Sequence, residues 1–142
     1  MAYSTDLASA ARRHLQAAQR LDDGAAPVHL QKRDVAVAGY LYGVAGECAV
    51  KQIMRQANIR PLPVAERRDD PYYAHFPALR RMLLDTLCGR RSAPLRAILE
   101  DGGLMSEWST DMRYAPAKDV LPRHVTRWRQ DAERLVGAME SG

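Results

Sequence analysis

Residues 35–50, VAVAGYLYGVAGECAV, decide the fold and contain one charged residue, Glu47. Apolar side chains recur in this stretch at intervals of three and four residues, at Ala38, Leu41, Ala45 and Cys48. That spacing predicts an α-helix, and the absence of a period of two disfavours a strand. The apolar run is shorter than the roughly 20 residues that cross a bilayer. We therefore expect a buried core helix from about Leu30 to Ala57, and no membrane span.

The same helix carries three glycines, Gly39, Gly43 and Gly46, on one face. Each glycine costs roughly 1 kcal/mol relative to alanine in a helix interior, so this face indicates that another group approaches the backbone closely. The candidates are another helix of the same bundle, a symmetry-related copy of the chain and a ligand. The second candidate predicts a homodimer.

Four further segments have the helical spacing of apolar residues. They run from Asp6 to Leu21, from Pro77 to Gly89, from Ser92 to Leu99 and from about Pro122 to Met139. Ser4 or Thr5 can cap the first of them. A chain of 142 residues has the size of one domain. We therefore predict an all-α fold, a compact antiparallel four- to five-helix bundle that residues 1–142 form as a single domain.

Cysteine and histidine usage indicates a cytoplasmic protein without a metal site. Cys48 and Cys88 form no C-x-x-C pair, so we expect no disulfide scaffold, and the N-terminus does not read as a signal peptide. The histidines lack metal-ligand spacing; they are His14, His29, His75 and His124. No phosphate-binding glycine loop or nucleophile elbow occurs, so no cofactor is predicted.

The net charge of +4 is unevenly distributed along the chain. Residues 51–100 contain ten Lys and Arg residues against five Asp and Glu residues, whereas the flanking segments are nearly balanced. An anionic partner such as RNA would bind this middle segment first. The alternative is an arginine-rich surface that is simply solvated.

A second observation concerns Glu47, because a buried carboxylate without a partner is costly. Arg113, followed by Tyr114, is the candidate partner in the sequence. Such a pair is either a structural ion pair that fixes the bundle or part of a polar pocket for a nucleotide or an RNA phosphate.

A third observation is that Arg68 and the polar Asp69 precede His75 in the proline-rich connection of residues 58–77. An imidazole can take the proton of a 2′-hydroxyl while a guanidinium holds the phosphate, which suits metal-independent RNA cleavage. Arg68 and His75 are therefore candidate catalytic residues. The alternative is that His75 anchors the helix that begins at Pro77.

Several blocks of the chain together resemble the HEPN superfamily (higher eukaryote and prokaryote nucleotide-binding domains). Residues 38–51, AGYLYGVAGECAVK, look like the "GY…ECALK" helix of many bacterial members. The supporting blocks are ARRHLQAA at 11–18, HFPAL at 75–79 and WSTDMRY at 108–114. The resemblance implies a bundle of four or five helices that is frequently dimeric.

The HEPN superfamily contains RNases of toxin–antitoxin, antiphage and CRISPR-linked systems, and non-catalytic members that bind nucleotides or pair with small nucleotidyltransferases. Catalytic members carry an Arg, a polar residue and a His in the later helices. Arg68, Asp69 and His75 have this order but lie after the second helix, and Arg113 is followed by no histidine at that spacing.

The resemblance therefore predicts a HEPN-like module that binds RNA, a nucleotide or a protein partner in a toxin–antitoxin or antiphage setting. Its candidate binding residues are Glu47, Lys51, Arg113 and Tyr114. One alternative is a metal-independent endoribonuclease that uses Arg68 and His75. Another is a purely structural subunit of a larger assembly.

Overall fold

The computed structural model describes residues 4–24, 34–87, 89 and 92–142, and these ranges contain helices and no strand. The α-helices are α1 (Leu7–Asp22), α2 (Val35–Gln56), α3 (Ala78–Thr86), α4 (Ala93–Leu99) and α5 (Pro122–Ser141). Short 3-10 turns lie at Val64–Asp69, Pro71–Tyr73, Thr110–Tyr114 and Ala117–Asp119. The predicted all-α helical bundle is confirmed.

Two aspartates fix the starts of the long helices. The Asp6 carboxylate accepts a hydrogen bond from the Ser9 N–H at 3.0 Å, so Asp6 caps α1 and not Ser4 or Thr5. The Asp34 carboxylate accepts one from the Val37 N–H at 3.2 Å. Because an aspartate at this position satisfies an otherwise unpaired N–H, α2 begins at Val35; the predicted start at Leu30 lies outside the described residues.

The other helix ends differ little from prediction, except that α3 ends at Thr86, before Gly89. Within the described part of the chain, no helix combines the length and apolar character needed to cross a membrane. Residues 35–50 form a core helix, as predicted, since Ala38, Tyr42, Ala45 and Ala49 are all buried.

Helix directions follow from the contacts at the helix ends. Arg12, near the start of α1, pairs with Glu140 at the end of α5, and Arg129 near the start of α5 pairs with Asp23 at the end of α1. These two helices are antiparallel. In contrast, α2 and α5 run in the same direction, since Gly39 faces Val125 and the Gln56 amide donates to the Met139 carbonyl. Parallel neighbours need a long return, and residues 57–121 supply it.

The glycine face of α2 packs against the chain's own side chains. A Cβ atom at Gly43 would overlap the Trp108 indole, whose Nε1–H donates to the Gly39 carbonyl at 3.1 Å. A Cβ at Gly39 would lie 3.0 Å from Trp128, and one at Gly46 would lie 2.9 Å from Met105. Intramolecular packing is therefore the correct explanation of this face, and neither a symmetry-related copy nor a ligand is needed there.

Candidate functional site

The connection between α2 and α3 is organised by a buried aspartate. Asp70 is 1% exposed, and its carboxylate accepts hydrogen bonds from the Leu62 and Tyr72 N–H groups, both at 2.9 Å. The Tyr72 hydroxyl donates to the Ile59 carbonyl. Asp70 thereby holds Leu62, near the start of the connection, close to Tyr72, near its end. We did not predict this role from the sequence, although an aspartate followed by Pro71 is a signal for a turn.

This connection brings His75 to the buried carboxylate of α2. The Nδ1 atom of His75 lies 2.9 Å from Oε1 of Glu47, and the Phe76 N–H donates to Oε2 at 2.7 Å. The Glu47 side chain is 6% exposed and the His75 side chain 58% exposed. Glu47 therefore has a partner, as its burial required, but the partner is His75 and not Arg113.

Burial raises the pKa of Glu47, and the hydrogen bonds from His75 and Phe76 partly offset this rise. When Glu47 is ionised, it accepts a hydrogen bond from the Nδ1–H of His75 and thereby selects the imidazole tautomer. That tautomer leaves a lone pair on Nε2 of an imidazole whose side chain is largely exposed. The arrangement is that of a carboxylate-oriented general base.

Lys51 lies one helical turn beyond Glu47 and is half-buried. Burial lowers its pKa, although the neighbouring Glu47 and Asp70 act in the opposite direction. The described part of the chain contains no ion pair that includes Lys51. The oxygens of both neighbouring carboxylates accept hydrogen bonds from other donors, and Lys51 interacts with these two carboxylates through charge alone.

Four exposed arginines follow Lys51 in the sequence, at Arg55, Arg60, Arg67 and Arg68. We call Lys51, Arg55, Arg60 and Arg68 the cationic face, a set that is defined by sequence and exposure. Arg55 and Arg60 line an open depression of about 480 Å³ together with Asn58, Ile59, Pro61 and Tyr72. None of the three arginines of the cationic face forms an ion pair with another described residue. Other arginines of the described chain are of both kinds: Arg127 pairs with Asp101 and Asp131, whereas Arg80 and Arg113 donate to backbone carbonyls and form no ion pair with a described residue.

The two predicted catalytic residues, Arg68 and His75, are not hydrogen-bonded to each other in the described chain. Arg68 lies exposed in the 3-10 turn Val64–Asp69, and among the described residues no hydrogen bond joins it to His75. The residue that orients His75 is Glu47, for which the sequence suggested Arg113 as the partner. Sequence spacing missed this pair because Glu47 and His75 are 28 positions apart.

Arg113 and Tyr114 lie near the opposite end of α2. The Arg113 Nε–H donates to the Thr110 carbonyl at 3.0 Å, and the guanidinium lies 5.1 Å from the Tyr114 ring centroid. Arg113 lines a groove of about 380 Å³ with Asp34, Ala36, Val37, Tyr40, Met112, Ala115 and Ala117. Val37 and Lys51 are roughly 20 Å apart along the helix. The four predicted binding residues therefore divide between two places.

No group of three or more potential metal ligands occurs in the residues that the structure describes. Comparisons with protein-family models, curated proteins and solved structures gave no match.

Proposed function

We propose that this chain is an RNA-binding helical module. The observation that carries the proposal is the cationic face, whose four cations have no ion-pair partner in the described chain and whose first member, Lys51, lies one helical turn from Glu47. From residue 51 to residue 68 the sequence contains five Lys and Arg residues and one acid, Glu66. A continuous phosphate backbone is the natural counterpart of such a surface.

The fold neutralises part of the chain's arginines. Arg12, Arg96, Arg127, Arg129 and Arg134 all pair with acids of the same chain. Folding neutralises these five cations, whereas the residues of the cationic face form no ion pair within the described chain. Phosphate contacts of this kind release counterions, so the affinity for RNA falls as the salt concentration rises.

Salt-dependent binding of a labelled single-stranded RNA, followed by fluorescence anisotropy, tests the proposal. The triple variant Arg55→Gln, Arg60→Gln, Arg68→Gln should bind more weakly. The slope of log K against log salt should also decrease in magnitude by about 0.7 for each phosphate that the variant no longer neutralises. Arg123→Gln is the matched control, because Arg123 is exposed and lies at the other end of the bundle. Equal reductions in affinity for the control and the triple variant would contradict the proposed interface.

A second candidate function, metal-independent endoribonuclease, is favoured by the Glu47–His75 geometry. The Nε2 atom of His75 would accept the proton of a 2′-hydroxyl, and the 2′-oxygen would form a bond to phosphorus. The bond from phosphorus to the 5′-oxygen would then break, and that oxygen would take a proton from water. The hydroxide left behind would take the proton held by His75, which restores the neutral imidazole. The products are a 2′,3′-cyclic phosphate and a 5′-hydroxyl. Glu47 would act by holding the imidazole in the tautomer that this step requires.

Two variants separate catalysis from binding. In Glu47→Gln the amide oxygen can still accept from the Phe76 N–H, while its NH₂ group donates to Nδ1 and so moves the ring proton to Nε2. We expect Glu47→Gln and His75→Ala to lose cleavage of single-stranded RNA but to keep most of the binding. The assay contains EDTA and uses matched DNA as the uncleaved control. Cleavage that persists in His75→Ala would contradict this mechanism.

The resemblance to HEPN proteins extends the proposal to a biological setting. It favours a cytoplasmic module in a toxin–antitoxin or antiphage system, with a second copy or a small nucleotidyltransferase as its protein partner. If the wild-type chain binds no RNA at any salt concentration, the structural-subunit alternative becomes the better explanation.

A further inference from the structure

Tyr73 presents an aromatic ring to solvent in the connection that also carries Arg60 and Arg68. The residue is 54% exposed, and the Arg67 guanidinium lies 5.2 Å from its ring centroid. The guanidinium covers one face of the ring, which leaves the other face for a base, and it adds a cation for the adjoining phosphate.

The backbone holds this ring in a defined position. Tyr73 ends the 3-10 turn Pro71–Tyr73, and its N–H donates to the Asp70 carbonyl at 3.0 Å. Asp70 is itself buried and receives the Leu62 and Tyr72 N–H groups. A ring on a fixed backbone loses less freedom when a ligand binds, and this favours binding.

Tyr73 also lies close to the imidazole of the candidate site. Only Ala74 separates it from His75, and Ala74 is extended, with φ −89° and ψ 158°. The Cα atoms of Tyr73 and His75 are therefore about 6–7 Å apart. A base on Tyr73 and a ribose or phosphate at His75 can thus belong to the same strand.

We propose that Tyr73, supported by Arg67, is a stacking platform for an unpaired nucleobase, so that the RNA is single-stranded where it crosses this surface. This inference rests on the proposed RNA-binding function, and it specifies that the surface recognises an unpaired base. A base inside an A-form duplex is already stacked on its neighbours, whereas an unpaired base offers its face to an aromatic side chain. Because every base has such a face, the platform tolerates different sequences.

Anisotropy titrations with a labelled oligouridine and with a blunt RNA duplex of the same length test the platform. Tyr73→Ala should reduce affinity for the oligouridine by about 5- to 150-fold, the range of one base–aromatic stack, and leave duplex affinity unchanged. Tyr73→Phe keeps the ring and should bind like the wild type. An oligonucleotide containing 2-aminopurine gives a direct signal, since stacking on Tyr73 should quench its fluorescence in the wild type and less in Tyr73→Ala.

The possible results separate the two proposals. If the wild type binds the oligouridine and Tyr73→Ala binds it equally well, the platform is wrong while the RNA-binding function stands. If the wild type binds neither RNA, both are wrong. Tyr114→Ala provides a further comparison, because Tyr114 is 81% exposed and has Arg113 over its ring at 5.1 Å. A larger reduction in affinity for Tyr114→Ala than for Tyr73→Ala would move the stacking site to the other end of the bundle and overturn the inference.

Discussion

A single carboxylate, Glu47, accepts hydrogen bonds from the His75 imidazole and the Phe76 backbone N–H. Glu47 stabilises the fold by accepting a hydrogen bond from the Phe76 N–H, whereas its proposed chemical role depends on its negative charge beside Nδ1 of His75. A substitution can therefore remove one role and keep the other. We expect Glu47→Ala to lower the free energy of unfolding by about 1–3 kcal/mol, since it leaves a buried N–H without an acceptor. Urea denaturation measures this decrease, and Glu47→Gln should recover most of it. Equal stability of Glu47→Ala and the wild type would show that the Phe76 N–H finds another acceptor.

The pH dependence of stability should also report on Glu47. Its pKa in the folded protein lies above the ordinary value of 4.5 because of burial. Between these two values the folded state binds more protons than the unfolded state, so stability falls as the pH rises. We expect the free energy of unfolding of the wild type, relative to Glu47→Gln, to be highest below about pH 4.5 and to decrease as the pH rises through the folded pKa. A difference that stays constant from acid to neutral pH would contradict the assigned direction.

At the scale of elements, the packing of α2 depends on the missing side chain at Gly43. The Trp108 indole occupies the space that a Cβ atom would need, and this indole belongs to the segment between α4 and α5. We therefore expect Gly43→Ala to destabilise the fold by about 1–3 kcal/mol through overpacking. Thermal unfolding monitored by circular dichroism measures the effect.

Gly137 provides the matched control for this substitution. It lies exposed in α5, and a Cβ atom there would meet nothing within 4 Å. Gly137→Ala should stabilise the chain by roughly 0.5–1 kcal/mol, because alanine has the better helix propensity. Destabilisation of similar size in both variants would argue against the close contact between α2 and Trp108.

At the scale of the whole molecule, the two tryptophans link distant parts of the chain. Trp108 is 1% exposed and Trp128 is 2% exposed, and both pack against the glycine face of α2. If residues 1–142 fold as one domain, tryptophan fluorescence and far-UV circular dichroism should follow the same denaturation curve. In Trp108→Phe, the fluorescence comes from Trp128 alone. Its denaturation curve shows whether the packing of α5 against α2 is lost in the same step as the helices. A fluorescence transition that precedes the unfolding of the helices would contradict a single cooperative unit.

The homodimer stays a prediction at this scale. The glycine face of α2 no longer supports it, because the chain's own side chains occupy that face. The resemblance to HEPN proteins still does, and light scattering at micromolar concentration tests it directly. A clean monomer would remove the second copy from the proposed partners.

Much of the fold could be predicted from the sequence because it depends on local interactions. The period of apolar residues places all five α-helices, and the small residues of 35–50 indicate a helix with close neighbours. The candidate site was only partly predictable. His75 and Glu47 were each identified, one from its chemistry and one from its isolation in an apolar helix, but they were assigned to different partners.

The amino-acid sequence by itself determined the all-α class, the central helix α2, the positive charge of residues 51–100 and the need for a partner to Glu47. These follow from periodicity, composition and the cost of burying a charge, none of which requires three-dimensional coordinates. Only the tertiary structure decided which partner Glu47 has and what lies against Gly43. Both contacts join residues far apart in the chain, and their geometry depends on how Asp70 ties the connection between α2 and α3 and on how Trp108 enters the bundle.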